Sequence, residues 1–338
     1  MPLNSLAAFL LVLASWFLGS PLWAEDFIFY FKTAPNVDQL RPFLEPATLS
    51  LLVTDPGGRP VSRGSVEILL EAPKTGRFFS TDFPLVEGSR LTEFRLPLRS
   101  GKAEWKYLFP IRGEYRLTVN LTTADGKLAN QIFQFSIREN RQKWIFLGVF
   151  SLALFALGTI AGRIFTQAHA RQAKTFVVAL VLFLGYWPIS SGAAAEPEVA
   201  RPRYTARLEI TPPTVGQPAL VSWRLNDAAS ADLPRGLLSL AITHLEKGML
   251  VFAVERMPVH GEYSMKFHFT DGAEYRVTAS AEVGGRRVIR SEQLVSVTAV
   301  EPPTAAMVPA LGYFLVVIAL GLGAGRWSRL AAPSAPTE

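Results

Sequence analysis

Polar and apolar positions change rhythm along this chain, and the changes mark out its parts. An apolar run from Leu6 to Leu18 ends in Gly19-Ser20-Pro21 and a small residue, Ala24, before the acidic pair Glu25-Asp26. That order predicts a secretory signal peptide over residues 1 to 24. No Lys or Arg precedes the run, and Leu22 stands two before Ala24, so an uncleaved N-terminal anchor is the alternative. From about residue 25 the pattern becomes short alternating runs rich in Val, Ile, Phe and Tyr, about ten residues apart, which predict β-strands. In the first such region these include Phe27 to Phe31, Leu49 to Val53, Val66 to Leu70, Phe94 to Leu98, Trp105 to Phe109, Tyr115 to Val119 and Ile132 to Ile137.

Long apolar stretches then follow at 144–162, 175–195 and 304–325. Each approaches the roughly 20 residues a helix needs to cross a bilayer. None contains an Asp, Glu, Lys, Arg or His, so none carries the buried charge of an ion path or proton relay. The connection 163–174 holds Arg163, Arg171 and Lys174 with no acid, and Arg326 follows the last stretch. The positive-inside rule places that loop and the tail 326–338 in the cytoplasm and both strand-rich regions, 25–143 and 196–303, outside. Arg138, Arg141 and Lys143 run against this bias, although Trp144 beside them suits an interfacial anchor. The middle stretch is interrupted by Tyr186-Trp187-Pro188 and ends in Ser190-Ser191-Gly192-Ala193-Ala194-Ala195, which resembles a signal-peptidase site. It is read as a retained span, with cleavage after Ala195 as the alternative.

The two exterior regions repeat one another. Pro46 to Ala72 aligns without gaps on Pro218 to His244, matching Pro46/Pro218, Ser50/Ser222, Asp55/Asp227 and Arg63/Arg235. Gly101 to Thr118 aligns on Gly261 to Thr278, matching Lys106/Lys266, Phe109/Phe269, Tyr115/Tyr275 and Arg116/Arg276. Between these blocks the first copy is longer, around Ser80 to Arg90. The apolar ends repeat as well, as Gly158-Thr159-Ile160-Ala161-Gly162-Arg163 and Gly321-Leu322-Gly323-Ala324-Gly325-Arg326. Glycines four apart let a second helix approach closely, so pairing of the first and third spans is expected.

Seven strands per copy, with turns at Asp55-Pro56-Gly57-Gly58, Asp125-Gly126, Asp271-Gly272 and Gly284-Gly285, predict an all-β fold of two immunoglobulin-like β-sandwich domains plus transmembrane α-helices. Gly113-Glu114-Tyr115-Arg116-Leu117 and Ala273-Glu274-Tyr275-Arg276-Val277 resemble the immunoglobulin tyrosine corner, with Leu117 and Val277 at the usual Cys position. Residues 44 to 119, with Gly58-Arg59-Pro60-Val61 and the Phe109 to Tyr115 ending, also resemble the YtkA-like group of bacterial exported sandwich domains. That resemblance implies an association with copper or respiratory-enzyme biogenesis.

Composition narrows the chemistry. The hydrophobic share of 49% is too high for two soluble domains alone. The absence of Cys excludes disulfides, thiol catalysis and a lipoprotein anchor. Half of the net charge of +6 falls in the loop 163–174, which holds three Lys/Arg and no acid, a topology signal and not a nucleic-acid footprint. No His-Glu-x-x-His, Gly-x-Ser-x-Gly or phosphate loop is present, and a non-enzymatic role is expected.

Two sets of residues are candidate sites. Met and His cluster in the second copy, and thioether with imidazole suits Cu(I). In the alternation Met265-Lys266-Phe267-His268-Phe269, Met265 faces the core and His268 the other way, leaving His244, Met249, Met257 and His260 as candidate copper ligands. The default reading is core Met and exposed His. The longer first copy offers Arg77, Phe78, Phe79 and Phe83 as a patch for a membrane or periplasmic protein partner, since aromatics beside Arg dominate interface hot spots. Together these features predict an accessory or assembly protein of the bacterial inner membrane, with periplasmic copper handling as the alternative.

Overall fold

The computed structural model describes residues 27–76, 80–164, 204–227 and 234–330. The leader 1–24, the middle apolar stretch 175–195 and the insertion residues Arg77, Phe78 and Phe79 lie outside them. Lobe 1 contains β1 (Ile28–Ala34), β2 (Ala47–Thr54), β3 (Gly64–Glu71), β4 (Arg90–Pro97), β5 (Lys102–Tyr107), β6 (Gly113–Thr123) and β7 (Leu128–Ile137), followed by helix α1 (Arg141–Ile164). Lobe 2 repeats the order as β8 (Tyr204–Ile210), β9 (Pro218–Asp227), β10 (Arg235–His244), β11 (Met249–His260), β12 (Glu262–His268), β13 (Glu274–Val283) and β14 (Arg286–Ser296), followed by helix α2 (Thr304–Leu330).

Burial alternates along these strands, as in β2 and β6, so one face of each sheet meets the core. Within lobe 1, β1-β2-β5 face β7-β6-β3-β4, an immunoglobulin-like division of three strands against four. Lobe 2 divides the same way. The chain forms two such sandwiches, but they are not separate bodies joined by a linker.

Their sheets are continuous. One runs β1-β2-β5-β11-β10-β13-β14 and the other β7-β6-β3-β4-β12-β9-β8, seven strands each, with every described pairing of neighbours antiparallel. At the first seam Phe252 pairs with Tyr107 and Ala253 with Lys106. At the second, Thr92 pairs with Phe267 and Glu93 with Lys266. Because Lys106 and Lys266 are repeat equivalents, the two seams have the same register. A rotation that exchanges the lobes also exchanges the sheets while preserving strand direction, so the pseudo-twofold axis runs along the strands. Lys106 bonds Glu255 at 2.8 Å and Lys266 bonds Glu93 at 2.9 Å, one ion pair on each outer face. Exposed pairs of this type contribute about 0–1 kcal/mol each. The apolar seam matters more: Phe94 of lobe 1 packs edge-on against Phe252 of lobe 2 at 5.2 Å, and both are fully buried in one core cluster that includes both lobes.

The same symmetry continues into the helices, which are long and apolar enough to cross a membrane. A Cβ on Gly158 would meet the Ile318 carbonyl at 2.7 Å, and one on Gly321 would meet Gly158 Cα at 3.1 Å. Gly162 and Gly325 are pressed in the same way against the Leu322 and Thr159 carbonyls. With both helices leaving the same end of the sandwich, the expected pairing of small residues is present, in parallel.

A shared core predicts one unfolding event. Calorimetry is expected to show a single transition for both lobes, and Phe252→Ala to lower stability by about 3–5 kcal/mol without separating them. Two resolved transitions would contradict the continuous sheets.

Candidate functional site

The connection β3–β4 in lobe 1 and its shorter equivalent β10–β11 in lobe 2 emerge at the end from which the helices leave. Each reaches across to the other lobe. In lobe 2, the tight turn Leu245 to Gly248 closes with the Gly248 amide donating to the Leu245 carbonyl at 3.1 Å, and points Lys247 outward. Its ammonium lies 4.1 Å from the ring centre of Phe43 and 5.7 Å from that of Phe83, both in lobe 1. The two rings are themselves 5.1 Å apart. An ammonium over aromatic faces contributes about 0.5–2 kcal/mol.

Lys247 is also 2.9 Å from Asp271, which organises the rest of the cluster. His244 is wholly buried; its Nδ1 accepts the Lys247 amide at 3.3 Å, leaving Nε2 to donate to Asp271 at 3.1 Å. Tyr275 donates to the other Asp271 oxygen. Burial by itself would raise the Asp271 carboxyl, but the bonds from Tyr275, Lys247 and His244, with the Lys247 charge, outweigh it and hold the carboxyl below the usual range. Tyr275 is pushed upward by burial and by the adjacent carboxylate. In lobe 1 the equivalent Tyr115 donates to the Ile111 carbonyl at 2.6 Å, the backbone bond expected of a tyrosine corner. Lobe 2 replaces that backbone acceptor with the side chain of Asp271.

Across the axis the longer connection of lobe 1 makes the reciprocal contact. His268 is 1% exposed, in contrast to the exposed His expected from strand alternation. The insertion covers the outer face at that point: Ser89 Oγ lies 3.0 Å from Nδ1, and the Gly216 amide donates to Nε2 at 3.0 Å. Ser89 already donates to the Val86 carbonyl at 2.7 Å, so Nδ1 carries the proton and the ring is neutral. Burial disfavours the imidazolium and lowers the His268 pKa, with the Arg90 backbone only partly offsetting it.

The four proposed copper ligands are not brought together. His244 and Met249 are cross-strand neighbours at one end of β11, whereas Met257 pairs with Leu238 and His260 with Arg235 toward the other end. Eight residues of extended strand separate Met249 from Met257, roughly 25 Å. Met257 is buried, His260 is exposed, and both His244 nitrogens are engaged as above. Among the described residues no group of three or more His, Asp or Glu is placed to hold a metal. Of the aromatic patch, Phe83 is described, and it is half-buried between Phe43 and Lys247 and not projecting. His244 and Phe83, singled out for different reasons, thus meet in one joint between the lobes. Lys247, Asp271 and Phe43 were missed; the replacement of Ile111 by Asp271 in the repeat was the available signal for the second of them.

Two outcomes follow from this joint. Asp271→Ala strands His244, Lys247 and Tyr275 and is expected to cost about 3 kcal/mol in chemical denaturation. Below an ordinary histidine value of about 6.5, the unfolded chain binds a proton that folded His268 resists. Stability therefore falls as pH is lowered from there toward the depressed folded value, and levels off below it. His268→Gln, which keeps a donor and an acceptor, is expected to reduce that slope in thermal melts; an unchanged slope would contradict it.

No family model matches the chain, and no curated protein matches it. Among solved structures, it is similar to the Escherichia coli adhesin FdeC, at 11% identity and TM-score 0.20, over 80% of this chain and 64% of that one. A tetra-tandem repeat from the extending region of a large adhesion protein is 10% identical at TM-score 0.22, over 80% and 50%. Escherichia coli alpha-2-macroglobulin is 14% identical at TM-score 0.24, over 82% and 14%. The chain spans less than two thirds of each, and likeness at this level carries no inference about function.

Proposed function

We propose that this chain is a membrane-anchored, non-catalytic accessory protein, exported across a bacterial inner membrane, that offers its double sandwich as a rigid docking platform to another exported or membrane protein. The continuity of the two seven-stranded sheets carries this reading. Strand pairing, a common core and the Lys247 joint hold the lobes in one orientation, so both present fixed surfaces to a large partner at little entropic cost. Two helices leaving the same end support a common anchor, and the basic stretch 163–174 supports an exterior location for both lobes. The resemblance of residues 44 to 119 to YtkA-like exported domains implies a part in copper or respiratory-enzyme biogenesis, with which an accessory role is consistent.

Protease added to spheroplasts is expected to cut at the turns Gly57-Gly58 and Gly284-Gly285, both of them exposed. A photo-crosslinking residue at exposed Ser264 on the outer sheet face is expected to give one discrete protein adduct in cells. Protection of either turn removes the topology, and the absence of any adduct from positions across both sheet faces removes the docking role.

A further inference from the structure

The molecule is symmetric in backbone but not in charge, and the difference is concentrated where lobe 1 joins its helix. Residues 138–144 hold three cations and one acid, Arg138, Arg141, Lys143 and Glu139; the corresponding stretch of lobe 2, 298–307, holds a single acid, Glu301. Matching registers, Tyr115 with Phe135 and Tyr275 with Val295, make Arg138 the equivalent of Thr298. The helix glycines make Trp144 the equivalent of Met307. Arg112 corresponds to Gly272, which lies directly against Ala299. Lobe 2 therefore reaches its helix by a junction that carries one acid and no cation, beside a cavity of only about 160 Å³, and the fold does not require the cations of lobe 1.

In lobe 1 the same place is open. A cavity of about 990 Å³ lies between the start of β6, residues 72–76 after β3 and the first turn of α1, with Lys74, Arg112, Arg138 and Trp144 among its walls. Arg112 bonds Glu139 at 2.7 Å and lies 5.7 Å from the Trp144 ring centre. Lys143 reaches the same Glu139 at 3.7 Å as well as Asp82, so this nearly buried carboxylate has two cations on it. Arg138 has only a 3.7 Å contact with exposed Asp38, and Lys74 and Arg141 have no carboxylate partner among the described residues. Glu71 and Glu114 also line the cavity, with Arg116 3.9 Å from Glu71, so four cations stand against three carboxylates in its walls. That surplus of one positive charge lies in a cavity whose rim carries a Trp at the first exposed apolar turn of the helix, the depth at which Trp marks a membrane interface.

We infer that this cavity binds the phosphate of an anionic phospholipid headgroup in the outer leaflet. The inference rests on the membrane-anchored reading above. It also gives a role to Arg138 and Arg141, which oppose the positive-inside bias: an anionic phosphate takes charge-assisted hydrogen bonds from guanidinium groups.

The test uses the full chain in a neutral maltoside, titrated with dihexanoyl phosphatidylglycerol, dihexanoyl phosphatidylcholine or inorganic phosphate, and read by native mass spectrometry and thermal shift. Phosphatidylglycerol is expected to bind about tenfold tighter than phosphatidylcholine. The double variant Lys74→Gln/Arg138→Gln, confined to exposed side chains, is expected to weaken it about tenfold. Arg276→Gln, at the equivalent face of lobe 2, is expected to leave it unchanged. Equal affinity for the two lipids, indifference to the double variant, or inorganic phosphate binding as tightly as the lipid would each overturn the assignment. Short-chain lipids in detergent do not depend on anchoring, and carbonate extraction of native membranes tests the anchor separately, so the two failures are distinguishable.

Discussion

An isolated sandwich of this kind would leave β4 and β5 as free edges on its two sheets, each a row of unpaired amides and carbonyls open to any other strand. The seam between the lobes removes that exposure by pairing β5 with β11 and β4 with β12. Phe94 and Phe252 meet beneath it, and the core becomes common property of both lobes. The remaining features depend on this arrangement. It sets the pseudo-twofold along the strands, directs both helices from one end and brings Gly158 opposite Gly321.

The connections on either side of β4 and β11 lock the seam at its helix end. Each lobe uses a different device. Lobe 2 extends a charged residue, Lys247, to aromatic faces and satisfies it with Asp271, while lobe 1 folds a longer segment over His268 and fills its hydrogen bonds with Ser89 and Gly216. Buried polar groups of this sort are costly unless partnered, and the ring nitrogens of His244 and His268 and both Asp271 oxygens are. Their chemistry is that of a joint, with the tautomer of each His fixed by a backbone amide. The same duplication, having secured its fold twice over, leaves the helix junction of lobe 1 at liberty to diverge in charge.

Much of this was legible from residues alone. Period-two alternation, turn glycines and two gapless blocks of repeat specify two like sandwiches of seven strands each, since those signals are local. The glycine spacing specified the helix pair for the same reason: a strip of small residues on one helix face is a property of adjacent turns. Tyr115 could be placed in its corner because its partner, Ile111, is only four residues away.

What the linear sequence did not determine is where one sandwich ends and the other begins. Seam residues such as Thr92, Glu93 and Ala253 carry no mark of pairing across lobes, because a strand edge is backbone and every residue type offers the same amide and carbonyl. For that reason His268 looked exposed until a segment 179 positions earlier closed over it, and His244, Met249, Met257 and His260 looked like a cluster although β11 holds two of them far from the others. Nearness in sequence along an extended strand is distance in space. Only the tertiary structure, by folding two copies into shared sheets, decided which side chains meet.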